Sequence, residues 1–409
     1  MHKSKMRCLL GFVCLLWLET RAFVIHQSHS VQRSATTTIV NSRLYASISS
    51  SSYPQVLCVG DALLDCIATD EARGWSVEKM TQDDKYWKAF PGGANANVAT
   101  ACAKLGTPSA FCGCVGDDAD GDLLEIVFSD CGVNVELLQR SSQLPTRRVM
   151  VTRSMEGNRE FGGFYQGRAA HEFADCELQW NGDCELLLPD TEWIVSGTLS
   201  LAFPTTSQSI EKLLEEASTT TTNFYVDINW RPVFWPADGE DDARDRILTF
   251  AQRAQLVKMT DEEAEWLLGI PAMEALENPQ QVHKAFPNSS GVFVTAGEKG
   301  AAYSLLGHTG RVEPFVVNVQ ETTGAGDAFT AGILHGILSG GQRWECLRGR
   351  DNNNTTISIE EIPSSEDVHR LVQFAAAVGA LTCTKEGAIA AQPTIAQVEE
   401  FLKESQGRQ

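Results

Sequence analysis

The stretch Val56-Leu57-Cys58-Val59-Gly60-Asp61-Ala62-Leu63-Leu64-Asp65 starts as a short β-rich run and breaks at a glycine followed by an acidic residue. Similar runs recur downstream at 110–115, Trp193-Ile194-Val195, Phe224-Tyr225-Val226, Leu256-Val257 and Val292-Phe293-Val294. Between them the residue pattern predicts helices over 95–104, 207–217, 241–254, 261–268, 325–338, 366–382 and 394–403. Strands alternating with helices predict an α/β fold, a mostly parallel sheet covered by helices. In such sheets ligands sit beyond the C-terminal strand ends, which is where Gly60 to Asp65 falls. Asp65 could there accept hydrogen bonds from two vicinal hydroxyls, while Asp61 could be only a turn residue.

Two regions break the alternation. Residues 147–152 and 159–165 read as two strands joined by Met155-Glu156-Gly157-Asn158, a hairpin projecting from the sheet at about 145–170. Residues 340–367 contain Asp351-Asn352-Asn353-Asn354-Thr355-Thr356 and little apolar periodicity, which predicts a surface insertion between two helices.

The first residues read as targeting sequence. Lys3, Lys5 and Arg7 precede an apolar run from Cys8 to Leu18 that is short for a membrane span. From Thr20 to Gly60 there is no Asp or Glu, while Ser, Thr, Arg21, Arg33 and Arg43 recur. A signal-like segment followed by a transit-like one, with Ala22-Phe23 at the junction, resembles the bipartite presequence of proteins imported into plastids of secondary endosymbiotic origin. Secretion and a mitochondrial presequence are the alternatives. Residues 1–52 are therefore set apart from a folded domain over 53–405.

Residues 1–60 hold six Lys/Arg and one acidic side chain, leaving 27 basic against 52 acidic groups in the remainder, a formal charge of −25. Such a surface repels nucleic acid and anionic membrane, so any phosphate must be held by a local device. Of the 12 cysteines, ten lie beyond the leader without C-x-x-C pairs or His partners at metal-ligand spacing, and reduced, buried thiols are expected. Cys112 and Cys114, two apart on one strand, could be redox-sensitive. The sequons at Asn288, Asn353 and Asn354 are weak signals.

Besides Gly60 to Asp65, two loops carry chemistry. Thr323-Gly324-Ala325-Gly326-Asp327 opens a helix, whose first amides lack internal partners and whose dipole favours an anion. Asp327 in that turn could take a proton from an acceptor hydroxyl while the amides of Ala325, Gly326 and Asp327 stabilise a phosphoryl group. An ordinary helix start would look the same. Pro91-Gly92-Gly93-Ala94-Asn95-Ala96-Asn97 opens another helix; its glycines let main chain approach a small ligand and Asn95 or Asn97 can offer amide hydrogen bonds, or the segment is a loop with an Asn cap. Thr260-Asp261-Glu262-Glu263 suits a helix N-terminus that complements the dipole.

Taken in order over residues 55–405, these segments resemble the ribokinase-like (PfkB-type) carbohydrate kinases, fructokinases especially. Gly92 to Gly106 resembles that family's first signature and Thr322 to Phe329 its second. The resemblance implies a ribokinase-like three-layer α/β/α domain with a small β-sheet lid, into which the 145–170 hairpin fits. It implies Asp327 as catalytic base, Gly324, Ala325 and Gly326 as anion hole, and Asp65, Gly92, Gly93 and Asn97 as sugar contacts. Asp227-Ile228-Asn229-Trp230-Arg231-Pro232 resembles the D-x-N-x-R segment of fructokinases and ketodeoxygluconate kinases, with Arg231 toward substrate or phosphate. Glu263 stands where relatives organise hydrated Mg²⁺, with Thr260 in place of the usual Asn. Thr295, Gly297 and Gly300 resemble the T-x-G-x-x-G nucleotide loop, and Phe374 to Gly379, with Ala376, the helix beside adenine. ATP and Mg²⁺ are the ligands the resemblance implies; Glu321 replaces the Asp that usually opens the second signature at a position that relatives associate, together with Thr323, with a monovalent cation, and this departure leaves K⁺ open. In the lid, Tyr165-Gln166 stands for Tyr-Arg and His171 near the usual Asp, which leaves the sugar less defined than the reaction.

The expected activity is ATP-dependent transfer of a γ-phosphoryl group to a primary hydroxyl of a hexose, fructose to fructose 6-phosphate. Other acceptors are 2-keto-3-deoxygluconate, whose carboxylate Arg231 could bind, and ribose or a nucleoside. A reading of another class is a non-catalytic fructokinase-like subunit of a plastid assembly, against which the intact Gly324 to Asp327 argues. Expected partners are a small-molecule sugar, neither nucleic acid nor membrane, and a second copy through the lid.

Overall fold

Strand β1 (Val56–Val59) is buried on both faces and pairs in parallel with β8 (Trp193–Gly197) on one side and β4 (Ser109–Gly116) on the other. The structure is a computed structural model that describes residues 54–80, 83–155, 159–180, 188–236, 239–347 and 363–406. The presequence expected over 1–52, the sequons at Asn353 and Asn354 and the hairpin tip at 156–158 lie outside the described residues. The remaining strands are β2 (Leu63–Ala68), β3 (Trp87–Gly92), β5 (Leu138–Ser141), β6 (Arg147–Arg153), β7 (Arg159–Phe164), β9 (Asn223–Asp227), β10 (Leu256–Thr260), β11 (Gly291–Thr295), β12 (Ala301–Leu305) and β13 (His308–Val312). The helices are α1 (Val77–Met80), α2 (Ala94–Leu105), α3 (Ala119–Asp130), α4 (Pro204–Ala217), α5 (Glu240–Ala251), α6 (Asp261–Leu268), α7 (Ala272–Glu277), α8 (Pro279–His283), α9 (Ala325–Ser339), α10 (Ser365–Thr382), α11 (Ala388–Ala391) and α12 (Ile395–Gln406).

Nine strands form the main sheet in the order β13-β12-β11-β10-β9-β8-β1-β4-β5, parallel except for the β11–β12–β13 edge. Alternate side chains of β1 serve opposite faces, as a strand's period of two requires. Leu57 and Val59 join the apolar cluster that takes in Ile210 and Leu213 of α4, Ile247 of α5 and Leu267 of α6. Val56 and Cys58 join the cluster built with α2, α9 and α10. The expected α/β/α layering follows from this division.

The lid is larger than the hairpin expected at 145–170. It is a four-stranded sheet in the order β3-β2-β6-β7, with β2 and β3 supplied by the stretch between β1 and α2. Asp65 is thus a strand residue paired with Phe90, not a loop residue. At the lid's base the guanidinium of Arg147, 1% exposed, donates to both carboxylate oxygens of Asp175 at 2.6 and 2.7 Å. Four rings, Phe164, Phe173, Phe203 and Phe234, surround it with centroids 4.7–5.3 Å away. At the other end Lys88 pairs with Glu386.

The insertion expected over 340–367 is shorter. Residues Gly341–Leu347 form a 3-10 helix that buries Trp344 and Leu347, and Ser364 with Asp367 builds the capping box of α10. The core contact and the cap reclaim both ends of that span, and 348–362 lies outside the described residues. Helix α5 stops at Ala251, before the expected 254. All nine described cysteines are free, and burial pushes the Cys114 thiol up to about 12, well away from thiolate reactivity at neutral pH.

Candidate active site

The chain leaves the body for the lid at Gly60–Ala62 and returns through Gly92-Gly93, and these two crossings touch. Gly93 has φ 105°, and a Cβ there would lie 2.5 Å from the Asp61 carbonyl oxygen, so the return requires glycine. Gly93 caps α2 without a side chain, and Asp61 supplies the missing cap from the other crossing. Its Oδ2 accepts from Ala94 N at 2.7 Å and its Oδ1 from Asn95 Nδ2 at 2.8 Å, while Asn95 Oδ1 accepts from Gly197 N at 2.9 Å. Asp61 is therefore more than a turn residue: buried to 2% exposure, it fixes the N-terminus of α2. Burial raises its pKa, against the hydrogen bonds that it accepts.

That helix start aims Asn97 at the second loop. Asn97 Nδ2 donates to Asp327 Oδ2 at 2.8 Å, and its backbone carbonyl accepts from Thr100 Oγ1 and Gln392 Nε2. Asn97 Oδ1 is buried with no protein partner. A Cβ on Gly92 would come within 3.0 Å of Asp65 Oδ2 and 3.9 Å of Asn97 Oδ1. Asp65, Gly92, Asn97 and Asp327, spread over 263 positions of sequence, are thus brought together through adjoining contacts.

Gly324 caps α9 in the left-handed conformation, φ 79°, pressed against Ala388. The amide of Ala325 is already donated to the Thr322 carbonyl at 3.2 Å. Helix geometry leaves the amides of Gly326 and Asp327 without intrahelical acceptors, so of the amides expected to face an anion these two remain undonated within the helix. Asp327 is half-buried with its carboxyl pushed up to about 7, first by burial and then by the negative charge of Asp227. The Asn97 hydrogen bond and Lys258 oppose the rise, and Asp61 adds to it. A carboxyl near neutrality is suited to accept and return a proton.

Asp227 ends β9 and Lys258 lies on β10, each buried, with Nζ 2.9 and 3.1 Å from the two carboxylate oxygens. Lys258 was not anticipated, although one charge inside Leu256-Val257-Lys258-Met259 is a visible irregularity. Glu263 builds a capping box with Thr260: Oε2 accepts from Thr260 N at 2.8 Å and Glu263 N donates to Thr260 Oγ1. Its Oε1 accepts from Trp230 N at 2.7 Å, tying α6 to the Asp227 segment. Arg231 is half exposed: it donates to the Trp230 carbonyl at 2.8 Å and stands 4.0 Å from Glu263.

The β11–β12 connection carries Thr295, Gly297 and Gly300, with both glycines at positive φ and Lys299 held by Asp261 of α6. Ala376 is half-buried on α10, whereas Gly379 is buried where α10 crosses α9, a Cβ there lying 3.0 Å from the Ala325 carbonyl oxygen. Glu321, buried, accepts from Gly387 N at 2.9 Å, and Thr323 is half-buried beside the turn. Among the described residues no group of three or more His, Cys, Asp or Glu could by itself hold a metal ion, and no helix is long and apolar enough to cross a membrane.

The model of the pfkB family carbohydrate kinases matches residues 54–395. The chain belongs to this family. It is thus a carbohydrate kinase, a phosphotransferase with an alcohol acceptor. Among relatives, the kinase is 31% identical over 350 residues to "Probable fructokinase-6, chloroplastic" of Arabidopsis thaliana, covering 85% of this chain and 82% of that one. It is 30% identical to "Fructokinase-2" of Solanum lycopersicum, covering 86% and 97%. Among solved structures, a fructokinase with bound ATP from Xylella fastidiosa superposes with a TM-score of 0.70 at 25% identity, covering 86% of the kinase and 98% of that chain.

Proposed function

We propose that this kinase phosphorylates fructose at its 6-hydroxyl with ATP, using Asp327 as the base. The observation that carries the reading is the Asn97–Asp327 hydrogen bond, which brings the sugar-side loop and the anion-binding turn to one point. The relatives named fructokinases support fructose as the acceptor.

Asp65 and Asn97 Oδ1 bind and orient sugar hydroxyls. The acceptor hydroxyl gives its proton to Asp327, its oxygen forms a bond to the γ-phosphorus, and the bond to the β,γ-bridging oxygen breaks as ADP leaves. The amides of Gly326 and Asp327 face the charge on the transferring group. Thr295, Gly297, Gly300 and Ala376 line the nucleotide, and Gly379 acts by letting α10 close on Ala325. Glu263 suits hydrated Mg²⁺: each carboxylate oxygen holds one backbone N–H and has a second lone pair for a water. Magnesium bound there would neutralise phosphate charge. Glu321 gives a buried hard oxygen, fixed by Gly387, which with Thr323 fits a monovalent cation such as K⁺.

The presequence would deliver the kinase to a plastid, and a relative labelled chloroplastic supports this. The exposed Phe161 of β7 supports pairing of two copies through the lid. A screen of purified protein with ATP against fructose, 2-keto-3-deoxygluconate, ribose and adenosine tests the reading: fructose should give the highest kcat/KM. A higher value with any of the others, or no turnover at all, would overturn it.

A further inference from the structure

The Asp227–Lys258 pair is a charge pair that the reaction scheme above does not use. It is buried beside the turn that holds Asp327, and a buried pair costs desolvation that its attraction only partly returns, so its place needs a reason. Two geometric facts supply one. The missing side chain of Gly326 makes room for the ammonium: a Cβ there would lie 2.7 Å from Lys258 Nζ. Gly326 is not among the glycines at positive φ, so space for Lys258, not backbone freedom, accounts for it. A cation at a helix N-terminus is opposed by the dipole, and Asp227, bonded through both oxygens, holds it there.

We propose that Asp227 and Lys258 are positioning residues of the kinase, a fixed charge pair under Gly326 through which Lys258 favours the carboxylate of Asp327 and Asp227 opposes it. The proposal rests on Asp327 being the base. The groups facing Asp327 are Asp227 from β9, Lys258 from β10, Asp61 from the first crossing, Cys58 from β1 and Asn97 from α2. Lys258 also faces Glu263 of α6. Only the pair places opposite charges side by side behind the turn, so its two members pull the base in opposite directions.

Opposite pulls give a test that a structural role would not satisfy. The acid limb of kcat/KM for fructose is measured for wild type, Lys258→Met and Asp227→Asn under one set of conditions, so that the titration of ATP is common to all. In Lys258→Met two carboxylates face each other with no cation between them, and the limb should move to higher pH. In Asp227→Asn the ammonium acts on Asp327 without the opposing charge of Asp227, and the limb should move to lower pH. Each shift should be about half a pH unit or more, and in Lys258→Met the loss should fall on kcat while KM for fructose stays within about threefold. Limbs that stay at the wild-type position, or move in the same direction, overturn the proposal. If Lys258→Met does not fold, Asp227→Asn alone decides by the sign of its shift. Wild type without sugar phosphorylation would instead refute the assignment of Asp327 as base.

Discussion

Asn97 of α2 and Asp327 of α9 are 230 positions apart and joined by a 2.8 Å hydrogen bond, so the orientation of the proposed base depends on the Gly92–Asn97 segment. Asn97→Ala removes a bond that lowers the Asp327 pKa. The acid limb of activity should rise in pH and kcat/KM should fall about 10- to 100-fold, the range for a hydrogen bond to a charged group. Steady-state kinetics across pH checks both.

A base raised to about 7 makes wild-type activity fall as pH drops through neutrality, because the protonated carboxyl accepts no proton. The same shift has a stability sign. The folded pKa lies above the unfolded value, so folding is favoured at low pH and that contribution is lost as pH rises through about 7. Asp327→Asn should therefore raise the melting temperature by a few degrees at pH 8 and change it little at pH 4. Calorimetry at both pH values reads the difference.

Asp61 caps α2 from a distant segment, and Asp61→Ala leaves Ala94 N and Asn95 Nδ2 unpaired. A loss of about 2 kcal/mol in unfolding free energy is expected, with a higher KM for fructose as Asn97 loosens. Denaturant titration and kinetics measure the two effects.

Arg147 holds the base of the lid. Arg147→Ala should cost about 3–5 kcal/mol because Asp175 stays buried without its partner. Adding Asp175→Leu should recover part of that loss, which a double-mutant cycle in denaturant resolves.

The α/β alternation was legible because the central strands are short β-rich runs bounded by turns. The lid was half legible. Its hairpin β6–β7 has two clear strands, but Asp65 on β2 reads as a ligand-binding acid beyond the end of β1, and β3 carries Pro91 and exposed Lys88 and Ala89, an edge pattern of weak β signal. Motifs marked Asp327, Gly324 and Asn97. Asp61 and Lys258 escaped because their roles arise only when distant segments meet: a cap donated across two crossings, and a cation lodged where a glycine lacks a side chain. Glu263 keeps the role at a helix N-terminus that its acidic run suggests, since its capping box with Thr260 is complete.

The central claim is that Asp327 removes the proton from the sugar hydroxyl. The direct measurement is ATP-dependent phosphorylation of fructose by Asp327→Ala against wild type, with fructose binding followed by calorimetry. The account predicts a loss of about 1,000-fold or more in kcat with binding kept, the scale of a positioned base and the charge that it carries. Turnover within about tenfold of wild type would contradict it.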